Sequence, residues 1–232
     1  MQGAEVNALG AQLEALVALV NALSENDFHR ATRCPGWTVA ELVAHCEGML
    51  NRLVGEHGEP AAGKPEIDRV GYYGYDPDGA REGEDPDKTF SEVVRDRVVR
   101  EVDGRNGMTL QSSLSDAAKR AIDGVREIPA DRVIKRPGHG RITFGEFVAT
   151  RNLEIGVHTM DIAHAVDKRE HVEPPTAEII ISILDGLLGD SLPDSLQWDA
   201  TTYILTGTGR RDVTPHEREI LGGLAAKFPL LR

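Results

Sequence analysis

The sequence lacks the features that mark disulfide-rich, membrane-spanning and nucleic-acid-binding proteins. Two cysteines among 232 residues allow at most one disulfide, so cross-links do not hold the fold together. Apolar stretches such as residues 13–20 are interrupted by Glu14, and none approaches the ~20 apolar residues of a membrane span. The 26 basic residues are outnumbered by 38 acidic ones, which gives a net charge of −12 without a clustered basic stripe. We therefore expect a soluble protein that binds neither membranes nor nucleic acids.

The start of the sequence also lacks the pattern of a secretory signal. Residues 1–20 contain Glu5 and Glu14 and have no positively charged first region. We therefore expect a cytoplasmic protein, in which Cys34 and Cys46 stay reduced. Since 40% of the residues are hydrophobic, the chain is able to bury a substantial core.

Helical periodicity and capping signals divide most of the chain into helices. The apolar spacing predicts helices over residues 4–23, 38–54, 90–102, 110–128, 143–167, 174–188 and 215–227. Two capping boxes mark helix starts, Thr38 with Glu41 and Thr143 with Glu146. Between these helices, residues 133–142 predict a turn or a hairpin.

Two segments leave alternatives open. Residues 55–88 are rich in Gly, Pro, Asp and Glu and predict a long loop, of the kind that often forms a lid. Its tyrosines either cover a site or pin the loop: Tyr72, Tyr73 and Tyr75. In residues 199–210, β-branched and aromatic residues favour a strand, whereas Asp199 equally caps a helix, which we favour. The whole pattern predicts a mainly α bundle with a short C-terminal extension that is helical or α/β.

The helix predicted over residues 143–167 carries the most informative pattern. At about 100° per residue, Glu154, His158 and Asp161 fall on one stripe with apolar residues on both sides, so the stripe points inward. Glu154 and His158 are four positions apart and are neighbours on the helix. Burying both without partners would cost several kcal/mol, and a metal would satisfy both. The alternative is that they bond only each other or Arg151.

A third candidate ligand lies on another capped helix. His45 stands beside Leu42 and Leu53, at the edge of that helix's apolar stripe. Two histidines and a glutamate, with a fourth position left to solvent, form a known type of open zinc site. The paired Glu-x-x-His motifs of a di-iron bundle are not found in the sequence. A mononuclear site with His45, Glu154 and His158 as ligands is therefore favoured.

Two motifs resemble a known family. Residues 34–45, Cys-Pro-Gly-Trp-Thr-Val-Ala-Glu-Leu-Val-Ala-His, resemble the Gly-Trp-Thr and Leu-x-x-His signature of the mycothiol-dependent maleylpyruvate isomerase family, in the DinB-like superfamily. Residues 151–161 resemble that family's second metal motif, Arg-x-x-Glu-x-x-x-His-x-x-Asp. The resemblance implies a four-helix bundle domain over residues 1–170, with residues 171–232 as an extension packed on it. It also implies mycothiol as cosubstrate and a divalent metal, zinc in most members with nickel as an alternative, on the three ligands above.

Past Val172 the resemblance weakens, which leaves the electrophilic substrate open. The isomerase has a separate C-terminal domain that contributes an arginine to its active site, and Arg210 is the candidate for that catalytic role here. The alternative for Arg210 is a solvated helix end. Arg151 and Arg210 are the candidates for binding an anionic group of the thiol or substrate. Asp161 is expected to orient His158 through a hydrogen bond.

Three functions fit these residues. In the favoured one, a metal-activated thiol adds to a small electrophile, which makes the protein a metal- and mycothiol-dependent transferase or isomerase. In the second, the metal activates water in a hydrolase, with Asp161 as a weak candidate for the base. In the third, the metal only stabilises a non-catalytic binding or stress-response protein. The sequence leaves open whether the protein is a monomer or a homodimer.

Overall fold

A computed structural model describes residues 3–55, 60–74, 90–136 and 139–231. Its helices are α1 (Ala4–Asn21), α2 (Glu25–Phe28), α3 (Val39–Val54), α4 (Phe90–Val102), α5 (Gly107–Arg126), α6 (Phe144–Ala165), α7 (Pro174–Leu188), α8 (Ala200–Gly207) and α9 (Pro215–Leu221). A 3-10 helix (Gly222–Lys227) follows α9, and an antiparallel hairpin precedes α6, formed by β1 (Val133–Arg136) and β2 (Gly140–Thr143). Within these ranges, no helix is long and apolar enough to cross a membrane.

Four helices, α1, α3, α5 and α6, pack together around the main apolar core. The core is filled by large side chains that are almost fully buried, among them Leu9, Leu16, Leu42, Leu53, Leu114 and Phe147. Each such side chain contributes about 1.5–3 kcal/mol through burial. The short helix α4 packs on α3. The expected mainly helical four-helix bundle is confirmed.

The C-terminal residues pack on the bundle through α7, which contacts both α1 and α6. Gly156 permits this close approach, because a Cβ at that position would lie 2.8 Å from Ile180 Cδ1. Polar contacts between helices are also buried here, since Gln12 Nε2 donates to Thr159 Oγ1 at 3.1 Å. The face of α6 that carries Gly156 and Thr159 therefore packs against α7 and α1. The helix α8 then packs on α7, while the domain division at residue 170 stays a prediction.

Several local expectations are confirmed and one is corrected. The hairpin is present with Ile134 opposite Ile142, and residues 200–207 form a helix capped by Asp199. The second capping box, however, is only half formed. Thr143 Oγ1 accepts from the Glu146 backbone N–H at 3.4 Å, but the Glu146 carboxylate accepts from Arg69 instead. A full positive charge is a stronger partner for a carboxylate than a backbone amide.

The loop before α4 is described over residues 60–74. Its backbone is pinned to the hairpin, because Pro60 bridges Ile134 and the Glu66 N–H donates to the Arg141 carbonyl at 2.7 Å. Tyr72 is buried against the bundle. Tyr75 and the lid expected over the rest of the loop lie outside the described residues.

Candidate metal centre

The turn before α3 and the cap of that helix place His45. Thr38 Oγ1 accepts from the Glu41 N–H at 3.3 Å, while Glu41 Oε2 accepts from the Thr38 N–H at 2.6 Å, so this capping box is complete. Trp37 is only 8% exposed and lies edge-on to His45, with ring centroids 5.5 Å apart. Trp37 therefore packs at the entry of α3 and contacts the candidate ligand His45.

The helix α6 brings Glu154 and His158 to His45. The two imidazole rings are 5.3 Å apart between centroids, and one ligand atom from each of the three residues lies within 4.8 Å of the others. His158 Nε2 lies 3.6 Å from Glu154 Oε2, which is too long for a hydrogen bond. The structure thus brings the three predicted ligands together, and Glu154 and His158 do not simply satisfy each other.

The protonation state of His45 suits a metal ligand. Its Nδ1 is buried and has no hydrogen-bond partner among the described residues. A buried nitrogen left unsatisfied costs about 1–3 kcal/mol. Burial, together with the charge of His158, lowers the pKa of His45 to about 3, so the ring is neutral at pH 7, the form that binds metals. Two imidazole nitrogens and one carboxylate are a donor set that zinc accepts.

Asp161 lies one turn beyond His158 and is fully buried. Its Oδ2 lies 3.1 Å from His158 Nδ1, and its carboxylate accepts hydrogen bonds from Arg33 Nε at 2.7 Å and Arg210 Nη2 at 3.0 Å. Burial alone would raise the pKa of Asp161, but the hydrogen bond with His158 and the Arg210 charge hold that pKa well below its usual range. Asp161 is therefore an anion that orients its neighbours.

The same contacts set the properties of His158. Burial would lower its pKa, but hydrogen bonds to Asp161 and Cys34 raise the pKa to about 9. The ring presents Nδ1 to Asp161 and Nε2 to Glu154. A carboxylate on the second nitrogen is the common partner of a metal-ligating histidine, because it fixes the tautomer and the ring orientation.

Two residues of this site have no role in the prediction from sequence. Arg33 joins Asp161 to Glu170, whose Oε2 accepts from Arg33 Nη2 at 2.7 Å. Cys34 places its Sγ 3.3 Å from Asp161 Oδ2 and within 4.8 Å of a His158 ring nitrogen. Both residues lie in the turn that leads into α3. In the sequence, the signal that could have pointed to these two residues is their position directly before the Pro-Gly-Trp segment.

Arg210 reaches the site from the C-terminal extension. After α8, Gly209 adopts a φ of +73°, a conformation that favours glycine, and the Arg210 N–H donates to the Leu205 carbonyl at 2.7 Å. This turn directs the guanidinium onto Asp161, and Nη1 donates to the Thr208 carbonyl at 2.8 Å. The side chain is 22% exposed, so a solvated helix end does not describe it.

Arg151 lies on the other side of Glu154. Its Nη2 donates to Tyr72 Oη at 3.3 Å, while Tyr73 Oη donates to the Thr150 carbonyl at 3.0 Å and lies 3.3 Å from Glu154 Oε1. Burial would raise the pKa of Glu154, but the charges of Arg151 and His158 lower that pKa. Glu154 is therefore a carboxylate anion at neutral pH, flanked by cations.

The fold and the donor set together define a class, a helical bundle of the DinB-like type with a candidate metal centre between facing helices. Residues 9–163 match the family model described as the mycothiol maleylpyruvate isomerase N-terminal domain, and the chain belongs to this family. The matched residues include His45, Glu154, His158 and Asp161, whereas Arg210 lies beyond them.

Two solved structures are similar to the chain. One is the mycothiol-dependent maleylpyruvate isomerase, with a TM-score of 0.51 and 14% identity. The other is a histidine-to-alanine variant of that protein, with a TM-score of 0.53 and 13% identity. Each comparison covers 78% of this chain and 68% of the other. At such low identity the likeness establishes the fold. Among curated protein sequences, none matches significantly.

Proposed function

We propose that the protein is a divalent-metal-dependent, mycothiol-dependent enzyme. It either transfers the thiol to a small electrophile or isomerises that electrophile. The observation that carries this proposal is the convergence of His45, Glu154 and His158 within 4.8 Å across two helices. His45 is also buried and neutral at pH 7, the form in which an imidazole binds a metal. Membership of the family and the similar isomerase structures support mycothiol as the thiol.

The metal would be held by the two imidazoles and the Glu154 carboxylate. When bound, a divalent cation supplies the positive charge that lowers the pKa of a coordinating thiol, so that the sulfur is nucleophilic at neutral pH. Zinc suits this donor set, and nickel is the alternative. The hydrogen bond between His158 Nδ1 and Asp161 keeps Nε2 directed to the cluster. Arg33 and Arg210 hold Asp161 in place for that purpose.

Positive side chains flank the centre on both sides. Arg151 precedes Glu154 by one helical turn, and Arg210 lies against Asp161. They provide local attraction for an anionic group in a protein whose net charge of −12 would otherwise repel it. We assign both arginines to binding an anionic group of the substrate or the thiolate of the cosubstrate, with Arg210 close to the reacting atoms.

The contacts of Asp161 make hydrolysis less favourable than thiol chemistry. A general base must accept a proton near the working pH. Asp161 is fully buried, accepts from two guanidinium groups and has a pKa held well below the usual range of a carboxyl group. It is therefore a poor base, and Glu154 is required as a ligand. Thiol chemistry does not need such a base, because a thiol bound at the centre becomes a nucleophile once it has ionised.

The test is the consumption of small electrophiles by the purified protein with and without mycothiol. We expect turnover only with mycothiol, and we expect His158→Ala to abolish it together with metal content. His164→Ala is the matched control, because this histidine lies on the same helix with its side chain 55% exposed. Hydrolysis without thiol would identify a hydrolase, and metal binding without turnover of any electrophile would identify a binding protein. Either result would contradict the proposal.

A further inference from the structure

The linker between α6 and α7 carries a carboxylate, that of Glu170, which is connected to the candidate metal centre. The backbone of the linker is fixed on both sides of this residue. Before Glu170, the Lys168 N–H donates to the Ala163 carbonyl at 2.9 Å. After it, the Glu173 N–H donates to Gln12 Oε1 at 2.9 Å. The Glu170 carboxylate is therefore held at a defined place beside the bundle.

Arg33 connects Glu170 to the centre through two donors of one guanidinium. Its Nη2 donates to Glu170 Oε2 at 2.7 Å, and its Nε donates to Asp161 Oδ1 at 2.7 Å. Asp161 Oδ2 in turn lies 3.1 Å from His158 Nδ1. Because a guanidinium is planar and rigid, a partner on Nη2 also restricts the direction in which Nε points. Glu170 is therefore the third contact outward from the candidate ligand His158.

Arg33 depends on Glu170 for its orientation. Among the described residues, the hydrogen bonds of Arg33 go to Asp161 and Glu170, and the residue lies in a turn without helical neighbours to restrict it. Without the Glu170 charge, one carboxylate alone would direct the side chain. His164 Nδ1 also lies 3.0 Å from Glu170 Oε1, but this histidine is mostly exposed, and an exposed pair contributes little. The contact of Glu170 with Arg33 is therefore the one that matters for the centre.

A second bridge joins the same two segments without reaching the centre. Arg30 Nη2 donates to Asp167 Oδ2 at 2.6 Å, so it also ties the residues before α3 to the linker. Among the described residues, the contacts of Arg30 go to Asp27 and Asp167. The side chains of Arg30 and Asp167 are 41% and 81% exposed, whereas those of Arg33 and Glu170 are 15% and 21% exposed. The two bridges therefore differ in burial and in whether they continue to the metal ligands.

We propose that Glu170 is a positioning residue for the candidate metal centre. By holding Arg33, it fixes the hydrogen bond from Arg33 to Asp161, and Asp161 fixes the ring of His158. Glu170 lies beyond residues 9–163, the part of the chain that matches the family model. This inference rests on the proposed function and deepens it, because the support of a metal ligand then includes the linker that leads into the C-terminal extension.

The test is the zinc affinity of the purified protein, measured by competition with a chelator, which detects changes too small to alter metal content. Glu170→Gln keeps the size of the side chain and removes its charge. We expect this variant to bind zinc about fivefold more weakly than the wild type, because Arg210 still holds Asp161 and limits the effect. Removal of a direct partner of a ligating histidine costs more, about 10–100-fold.

Asp167→Asn is the matched control. It removes the charge of the bridge that does not reach the centre, and it leaves the contact of Glu170 with Arg33 in place. Asparagine tolerates the left-handed backbone at this position, where φ is +54°. We expect the zinc affinity of Asp167→Asn to equal that of the wild type.

A double-mutant cycle shows whether Glu170 acts through Arg33. Arg33→Met should weaken zinc binding more than Glu170→Gln, and combining the two changes should cause no further loss. Zinc affinity that is unchanged in Glu170→Gln, falls equally in Asp167→Asn, or falls additively in the double variant would overturn the positioning role. Where Arg33→Met does not fold, the difference between Glu170→Gln and Asp167→Asn carries the test alone.

Turnover of electrophiles with mycothiol separates this inference from the proposed function. Weaker zinc binding in Glu170→Gln, with no mycothiol-dependent turnover by the wild type, would support the positioning role and contradict the proposed function. Unchanged zinc binding in Glu170→Gln, with turnover by the wild type, would overturn the positioning role alone. A wild-type protein that binds no zinc would overturn both.

Discussion

Arg210 and Arg211 are neighbours in sequence, yet they serve two different parts of the molecule. Arg210 Nη2 lies 3.0 Å from Asp161 Oδ2 and so joins the C-terminal extension to the candidate metal centre. Arg211 pairs with Glu217 of α9, with Nη2 2.7 Å from Oε1. The two adjacent arginines therefore have different roles, because Arg210 contributes to the site and Arg211 stabilises the extension. The acidic partner of each arginine determines its role.

The two carboxylates differ in burial as well as in partners. Asp161 is fully buried and accepts from two arginines, whereas Glu217 is 14% exposed and accepts from Arg211 and from Trp198 Nε1, the latter at 2.6 Å. Removing one partner of a buried ion pair leaves a charge without compensation, which costs more than the same change near solvent. The comparison therefore predicts larger effects around Asp161 than around Glu217.

The largest effect is expected for Asp161→Ala. This change leaves Arg33, Arg210 and His158 without their shared acceptor, and should lower the free energy of unfolding by about 3–5 kcal/mol. Urea denaturation of the wild type and the variant measures it. If the free energy of unfolding fell by less than about 1 kcal/mol, water or other residues would be replacing the lost carboxylate. The predicted difference between Asp161 and Glu217 would then be wrong.

Asp161→Asn tests the role of Asp161 with a side chain of nearly the same shape but no charge. Because Asp161 orients His158 without binding the metal in our account, this variant should lose metal affinity by about 10–100-fold. His158→Ala, in contrast, should abolish metal binding. Metal analysis after dialysis against a chelator compares the two variants. If Asp161→Asn loses metal as completely as His158→Ala, then Asp161 is a ligand and the orienting role is wrong.

Arg210→Ala should weaken binding of an anionic substrate or thiol about tenfold while metal content stays intact. The reason is that Arg33 still pairs with Asp161 in this variant, so His158 stays oriented. Arg211→Ala provides the control, because that side chain donates to Thr206 and Glu217 of the extension. Normal binding and kinetics in Arg210→Ala would make the C-terminal segment structural, and the arginine of the site would have to be sought elsewhere.

Arg211→Ala should affect stability without affecting the site. It removes two hydrogen bonds to Glu217 and a contact of the guanidinium with the Trp198 ring, whose centroid is 5.9 Å from Cζ. We expect the free energy of unfolding to fall by about 1.5–3 kcal/mol, the range for hydrogen bonds to charged groups. Unfolding by urea measures the loss, and metal content should equal that of the wild type. A loss of metal would show that the extension and the centre are coupled.

The smallest effect concerns pH. The hydrogen bonds from Arg211 lower the pKa of Glu217 to about 2, although burial opposes the change. Because the pKa in the folded state lies below the ordinary value of 4.5, the stabilisation is present above pH 4.5 and is lost as the pH falls toward 2. The stability difference between the wild type and Glu217→Gln should therefore shrink over that range. Glu219→Gln, with a side chain 81% exposed on the same helix, is the control and should show no such trend.

The sequence predicted those parts of the fold that depend on local signals. Apolar periodicity and caps such as Thr38 with Glu41 mark helices without reference to distant residues, and His45, Glu154 and His158 each stand on such a periodic stripe. The short helix α2 was not predicted, because four residues are too few to show a helical period of apolar residues. The cap at Glu146 was misread because Arg69, far away in sequence, takes its carboxylate.

The network around Asp161 could not be read from the sequence for a related reason. Arg33 and Cys34 lie in a turn, where no repeating geometry says which way a side chain points. Their contacts with Asp161 form only after α3 and α6 have packed together. Long-range polar contacts from turns therefore require the structure, whereas the inward stripe that carries Glu154 and His158 follows from helical periodicity.

The central claim is that His45, Glu154 and His158 hold one divalent metal that binds mycothiol. The most direct test is metal analysis of the purified protein followed by calorimetric titration with mycothiol, for the wild type, His45→Ala and the control His164→Ala. Our account predicts about one divalent ion per chain and mycothiol binding in the wild type and the control, and the loss of both in His45→Ala. A wild-type protein without metal, or a His45→Ala variant that keeps full metal content and mycothiol affinity, would contradict it.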